Sequence, residues 1–265
     1  MPIINQVVKG GGAPAPTGTM YIISNGTYNV ADKAIANVNV PTTAPALYRE
    51  FQLDANGVLQ PNTTTTHIMN FTGMTDVSDY ALAYAYQNNT AVSGAVDMSD
   101  LTSVSGGSGC YRMFFGCTGL TSANLSSLTT VSGGNACYSM FNGCTGLTSA
   151  DLSALTTVSG SNACSYMFFG CTGLTSANLS SLTTVSSSYA CNSMFYGCTS
   201  LATVYIGGTT EINFGTKTNQ FASMFSGCTQ NIDVYAPAAS QAKIESFSGY
   251  PNFGASGNVV WHWRS

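Results

Sequence analysis

CYRMFFGCTGLTSANLSSLTTVSGGNA, starting at Cys110, is followed by CYSMFNGCTGLTSADLSALTTVSGSNA at Cys137, CSYMFFGCTGLTSANLSSLTTVSSSYA at Cys164 and CNSMFYGCTSLATVYI at Cys191. The period is 27 residues. Self-similarity at such a spacing marks a solenoid, in which one coil cannot bury its apolar stripe until a neighbour stacks on it. Within a coil, Leu120, Ala123, Leu125, Leu128 and Val131 are spaced for a short strand and an extended corner pointing inward, leaving Thr121, Ser122 and Asn124 outside. Cys110, Met113, Phe114 and Cys117 follow i, i+3, i+4, i+7, which is one face of two helical turns. Gly116 and Gly119 bracket the return to strand. The expected fold is an α/β repeat, a leucine-rich-repeat solenoid with a short strand and a short helix per coil. Its core is Met113, Phe114, Cys117, Leu120, Leu125 and Leu128, repeated by Met140, Cys144, Met167, Cys171, Met194 and Cys198.

The recurring MFxGCTxLTSxxL, with its Leu/Val corner, resembles the BspA-like class of leucine-rich repeats over about Asn70 to Pro237. The resemblance implies a surface or virion protein, because that class occurs on bacterial and protozoan surface proteins and in phage tail proteins. The string NGTYNVADKAIANVNVP, from Asn25 to Pro41, resembles a short β module of phage and prophage tail-associated proteins. Together they imply a receptor-binding or adhesin role, with a host-cell glycan or protein as partner and other tail proteins held through residues 1–62. A homo-oligomer such as a trimer is compatible with this picture.

Composition narrows the classes. Only 7% of residues are charged and the net charge is −4, which offers phosphates no attraction and argues against a nucleic-acid partner. Between Thr102 and Thr210 the charged residues are Arg112 and Asp151 alone. No apolar run approaches the roughly 20 residues of a membrane span. The start MPIINQVVKGGG lacks a basic and then apolar leader, so the expected location is a virion, otherwise the cell surface or extracellular space.

Nine cysteines raise the questions of disulfides and metal. Cys110 and Cys117 would lie about 10.5 Å apart on a helix, too far for a bridge. Equivalent cysteines of successive coils would stack near the strand spacing, where a bridge between coils is possible in principle. Phe221 stands where the other coils have Cys110, Cys137, Cys164 and Cys191, so that site must be apolar. A reduced, buried ladder is the expectation. No CxxC pair exists, and His67 and His262 fall outside the repeats, so no metal or other cofactor is expected.

Outside the repeats, residues 1–19 read as a Gly/Ala/Pro arm and 20–62 as a small β domain. Asn25-Gly26 and Asn56-Gly57 are its hairpin turns. Thr63 to Thr66 form a tether. Residues 67–230 make the solenoid, including an N-terminal cap coil with one residue inserted near Val96. Residues 231–265 close it with a strand ending at Pro237, a short helix and a final strand in which Trp261 and Trp263 alternate around His262. Asp76, Asp79, Asp97 and Asp100 read as turn and helix-start residues.

No pair of carboxylates or nucleophile–base set occurs in the repeats, so an enzyme is not expected. The repeats differ from one another along the helix and the turn before it. Tyr111, Arg112, Phe115, Tyr138, Asn142, Tyr166, Phe169, Asn192 and Tyr196, with Asn135, Asn162 and Tyr189 in the turns, fall off the buried face. Exposed Tyr, Phe, Asn and Arg suit a binding surface, although recently duplicated repeats also drift wherever the core permits. Stacked aromatics are a usual sugar platform as well. Alternative readings are a bacterial surface protein of the same repeat class, and a structural or ice-binding-like solenoid built on ladders of Thr121, Thr148 and Thr175 and of the pairs Thr129-Thr130, Thr156-Thr157 and Thr183-Thr184.

Overall fold

The computed structural model describes Phe71, residues 74–77, Asp79, residues 82–217 and residues 219–265 in full, and the backbone of five short strands before them. Those strands are β1 (Gly18–Ile23), β2 (Tyr28–Val30), β3 (Lys33–Ile35), β4 (Tyr48–Leu53) and β5 (Leu59–Gln60). The hairpin expected at Asn56-Gly57 forms, with Leu53 opposite Leu59. The strands on either side of Asn25-Gly26 do not pair with each other among the described residues: β1 pairs antiparallel with β4 along its full length, and β2 with β3. Six residues of β1 find six partners in β4, where the short β2 could offer three. The rest of the expected arm, the threonine tether and His67 lie outside the described residues.

From Phe71 onward the chain is a parallel solenoid. One sheet stacks β6 (Ser93–Asp97), β8 (Gly119–Asn124), β10 (Ser149–Asp151), β12 (Ser176–Leu179), β14 (Thr203–Ile206), β15 (Ile232–Pro237) and β16 (Val259–Arg264) in that order. A narrower sheet stacks β7 (Ser103–Val104), β9 (Thr130–Val131), β11 (Thr157–Val158) and β13 (Thr184–Val185). Registers are one repeat apart, as in Ala123↔Ala150 and Val131↔Val158. The cap coil carries its irregularity between Gly94 and Ala95, next to the insertion expected near Val96.

The corner between the two sheets is set by one side chain per coil. Asn124, Asp151 and Asn178 accept hydrogen bonds from the amides of Ser126, Ser153 and Ser180 at 3.1, 2.9 and 3.1 Å, turns that an Asx side chain closes on its own backbone. At the N-terminal end carboxylates serve the edge instead. Asp76 accepts from the hydroxyls of Ser103 and Ser105, and Asp79 from the amide of Gly107.

The segment from Cys110 to Cys117 is not the expected helix. Met113 and Cys117 donate to Cys110 and Phe114, three residues back, at 3.2 and 3.1 Å. The alternate amides of Cys110, Arg112, Phe114 and Gly116 leave the coil and bond Ala136, Tyr138, Met140 and Asn142 of the next at 2.7–2.9 Å. The segment is a run of overlapping β-turns. A positive φ recurs every fourth residue, at Ser108 (58°), Arg112 (49°) and Gly116 (72°), and again at Asn135, Ser139 and Gly143. Each falls on the third residue of a turn, as type II geometry requires. Cys110, Met113, Phe114 and Cys117 are nonetheless fully buried, because the turn run and a helix bury the same spacing. The α-helix among the described residues is α1 (Gln241–Glu245), in the C-terminal cap where a short helix was expected.

The core is a set of columns. Phe114, Phe141, Phe168, Phe195 and Phe225 stack at centroid distances of 5.4, 5.6, 5.8 and 6.3 Å with near-parallel rings. Tyr86 of the cap coil begins the column at 5.1 Å from Phe114. Met113, Met140, Met167 and Met194 and the leucines around them are at most 1% exposed. Each such side chain contributes about 1.5–3 kcal/mol.

All nine cysteines are free and buried, and their two columns differ in chemistry. Cys117, Cys144, Cys171, Cys198 and Cys228 each donate a thiol hydrogen bond to a carbonyl of the preceding coil, those of Tyr86, Phe114, Phe141, Phe168 and Phe195, at 3.0–3.1 Å. Cys110, Cys137, Cys164 and Cys191 neighbour one another and, among the described residues, make no such thiol–carbonyl bond; Phe221 replaces them in the last coil with 1% exposure. Burial pushes the Cys117 and Cys191 thiols up to about 12 and that of Cys228 to about 11. Serine at position 171 therefore keeps a donor for the Phe141 carbonyl, whereas serine at 164 brings a hydroxyl into an apolar site. Denaturant unfolding should show Cys164→Ser less stable than Cys171→Ser by about 1–3 kcal/mol.

Candidate functional site

The turn run buries alternate pairs of side chains and pushes the others outward, so its flank is the face on which the coils are free to differ. The outward rings are in register with one another. Tyr84 meets Tyr111 edge-on at 5.2 Å, Tyr111 stacks on Tyr138 at 5.2 Å and 8°, and Tyr138 meets Tyr166 at 5.3 Å. Tyr166 then contacts Phe169 at 5.8 Å, and Phe169 stacks on Tyr196 at 4.5 Å and 9°. Six rings thus form one continuous ladder along five coils.

Its path matters. Tyr111 and Tyr138 occupy equivalent positions, but in the third coil that position is Ser165, which is buried and donates to the Tyr189 carbonyl. Tyr166, one residue on, takes over the contact with Tyr138. Drift without constraint would break the ladder at that coil. The ends are the most open part: Tyr84 is 40% exposed and Tyr196 37%, while the rings between them are half-buried. Each inner ring is overlapped by its neighbours, so the middle of the ladder presents ring edges and phenol hydroxyls, and open ring surface is concentrated at the two ends.

Arg112 joins the ladder from the side, its guanidinium carbon 5.4 Å from the Tyr111 centroid and 5.2 Å from that of Phe115. The Tyr138 hydroxyl is pushed above the usual tyrosine range by desolvation first, then by neighbouring Tyr166 and Tyr111, with Arg112 opposing the shift.

The other expected site residues divide by cause. Asn135 and Asn162 sit at positive φ of 56° and 52°, a conformation asparagine tolerates better than most residues, so the backbone accounts for their identity. Tyr189 stands at the next such position with φ of 55° and is 45% exposed, apart from the ring ladder. Asn142 and Asn192 are half-buried in the same turn runs.

Tyr84 was not expected here. Its signal was present, because the cap coil pairs Leu82 and Tyr84 with the strand of backbone after Gly109 and Tyr111, which places Tyr84 level with Arg112. A second aromatic set lies on the outer face of the larger sheet. The row Asn124, Asp151, Asn178, Tyr205, Tyr235, His262 is in register across six strands, and counting by coils from Asn124 would have found it. Tyr205 and Tyr235 stack at 4.9 Å, Tyr235 and His262 at 4.6 Å, and His262 Nε2 lies 2.8 Å from the Asp233 carboxylate. Arg264 covers Tyr205 at 5.6 Å. Among the described residues no group of three or more side chains could hold a metal ion, and no helix is long and apolar enough to cross a membrane.

The family described as "Mycoplasma protein of unknown function, DUF285" matches residues 80–208 and, about one coil further on, residues 108–236, more than half of the chain in all. No curated protein matches the chain.

The ladder is a single coupled array, so cutting it at the centre should be visible by spectroscopy. Tyr138→Ala removes two ring contacts, worth about 0.5–1.5 kcal/mol each. It should lower the tyrosine near-ultraviolet circular dichroism while the far-ultraviolet spectrum keeps its β character. An unchanged near-ultraviolet signal would mean the rings do not stack in solution.

Proposed function

We propose, from the premise that this chain belongs to the DUF285 family, that it is a non-enzymatic binding protein whose turn-run flank holds a host-cell glycan or protein. The observation that carries this is the unbroken ring ladder from Tyr84 to Tyr196, maintained across a coil where the equivalent position has changed to serine. Tyrosine supplies large contact area with few rotatable bonds, and the surrounding Ser, Thr and Asn adapt their hydrogen bonds to a partner. Thiols that burial keeps protonated offer no nucleophile, and the outward groups of the ladder are phenols, amides and one guanidinium.

The finer reading is a phage or prophage tail-associated adhesin, attached through residues 1–62 and presenting the solenoid to the host. Its support is the resemblance of Asn25 to Pro41 to a tail-associated β module. The second reading is a bacterial cell-surface protein of the same repeat class; the matching family is described only as one of Mycoplasma proteins of unknown function. The ice-binding-like reading loses ground on geometry, since the hydroxyls of Thr129, Thr156 and Thr183 donate to carbonyls of the preceding coil at 3.0, 3.0 and 3.2 Å and are not free to order water.

The test is a comparison of the protein with its Tyr111→Ala/Tyr138→Ala/Tyr166→Ala/Tyr196→Ala variant for adhesion to a panel of bacterial cells by flow cytometry. Adhesion should fall at least about tenfold, which is one well-packed aromatic contact's worth of affinity. Equal adhesion by a folded variant would remove the ladder from the binding face. Mass spectrometry of purified particles and of cell envelopes would then separate the two readings by where the chain is found.

A further inference from the structure

The turn runs carry one cation, and nothing in the coil demands it. Between Thr102 and Thr210 Arg112 and Asp151 are the only charged residues. Asp151 is committed to its corner turn through the amide of Ser153. Arg112 has no carboxylate partner: among the described residues the ion pair is that of His262 with Asp233. Its Nε is enclosed and has no hydrogen-bond partner. The guanidinium packs against two rings, those of Tyr111 and Phe115.

The backbone makes the choice of residue more pointed. Arg112 has a φ of 49°, and the equivalent positions in three other coils are Ser139, Ser193 and Ser223 at 53°, 50° and 52°. A small residue satisfies the turn. A long side chain at positive φ carries local strain, and such strain gathers at functional positions. The remaining occupants of that column, Tyr84 and Tyr166, are themselves members of the ring ladder.

We infer that Arg112 is the anchor for an oxyanion, a carboxylate or sulfate ester, on an acidic saccharide that lies along Tyr84, Tyr111 and Tyr138. This rests on the binding role proposed above and names the ligand class for the same face. A planar guanidinium pre-oriented by contact with two rings presents its remaining N–H groups as a fork to a carboxylate or sulfate. One cation in a face otherwise made of hydroxyls, amides and phenols suits a ligand that brings one acidic group among many hydroxyls. A densely charged polyanion would need a row of cations that this face lacks. The rings advance by 5.2 Å per coil at Tyr84–Tyr111 and at Tyr111–Tyr138, close to the length of one extended hexose unit.

The experiment measures binding of the full chain, and of its Arg112→Gln, Arg112→Lys and Tyr138→Ala variants, to three probes by biolayer interferometry. The probes are a neutral oligosaccharide capped by one sialic acid for the carboxylate, the same oligosaccharide carrying one sulfate ester, and the unmodified neutral oligosaccharide. The expected result is binding of at least one acidic probe that Arg112→Gln weakens at least about tenfold, the loss of one charge-assisted hydrogen bond. Arg112→Lys should recover part of it, and the neutral probe should not distinguish Arg112→Gln from the parent chain. Which acidic probe binds decides between carboxylate and sulfate. If Arg112→Gln binds the acidic probes as well as the parent does while Tyr138→Ala is impaired, the anchor is wrong and the binding face stands. If neither variant matters, the face fails with it, and if the parent binds neither acidic probe, the ligand is not an acidic saccharide. Retained melting temperature and near-ultraviolet spectrum in Arg112→Gln establish that any loss is not unfolding.

Discussion

Every second amide between Ser108 and Gly116 is committed to the next coil, and that commitment shapes the molecule. A helix would close all its hydrogen bonds within the segment and leave coils to meet through side chains alone. The turn run closes half of them within the coil and half between coils, so the third face of the solenoid is as continuous as the two sheets. The geometry needs a left-handed residue every fourth position, which Gly116, Gly143, Gly170, Gly197 and Gly227 supply in one column and Ser, Asn, Tyr or Arg in the others. At Gly116 the need is also spatial: a Cβ there would meet the Asn88 side chain at 2.8 Å.

From that constraint the chemistry of the columns follows. The carbonyl of Phe114 already accepts from the amide of Cys117 and has a lone pair left over inside the core, and the thiol of Cys144 fills it. Cysteine is small, apolar and still a donor, a combination no other side chain offers at that site. The first cysteine column has no such duty and ends in a phenylalanine. Outward, the same turns set rings of successive coils about 5 Å apart, close enough to stack once each coil provides one, and the ladder is the consequence.

Much of this was legible in the residues. The 27-residue period, the inward Leu, Met, Phe and Cys, the apolar nature of the Phe221 site and the order of strand, helix and strand in the C-terminal cap all follow from spacing. The identity of the turn run did not, because Cys110, Met113, Phe114 and Cys117 are the buried set of either structure. What separates the two is the recurrence of turn-prone residues every fourth position, as at Asn135, Ser139 and Gly143, and Arg112 and Tyr166 in those columns mask it. Asn135 and Asn162 stand in the same turn columns, where a positive φ by itself favours asparagine. The strands beside Asn25-Gly26 pair elsewhere for a different reason: a two-residue turn signal is local, and β1 found a longer partner in β4.

Residue-resolved hydrogen exchange under native conditions tests the inter-coil bonding most directly. The amides of Cys137, Ser139, Phe141 and Gly143, in a central coil, should exchange only through global unfolding, together with those of the flanking strands. Exchange of these amides through local fraying, well ahead of the strands, would contradict it and restore an independent helical segment in each coil.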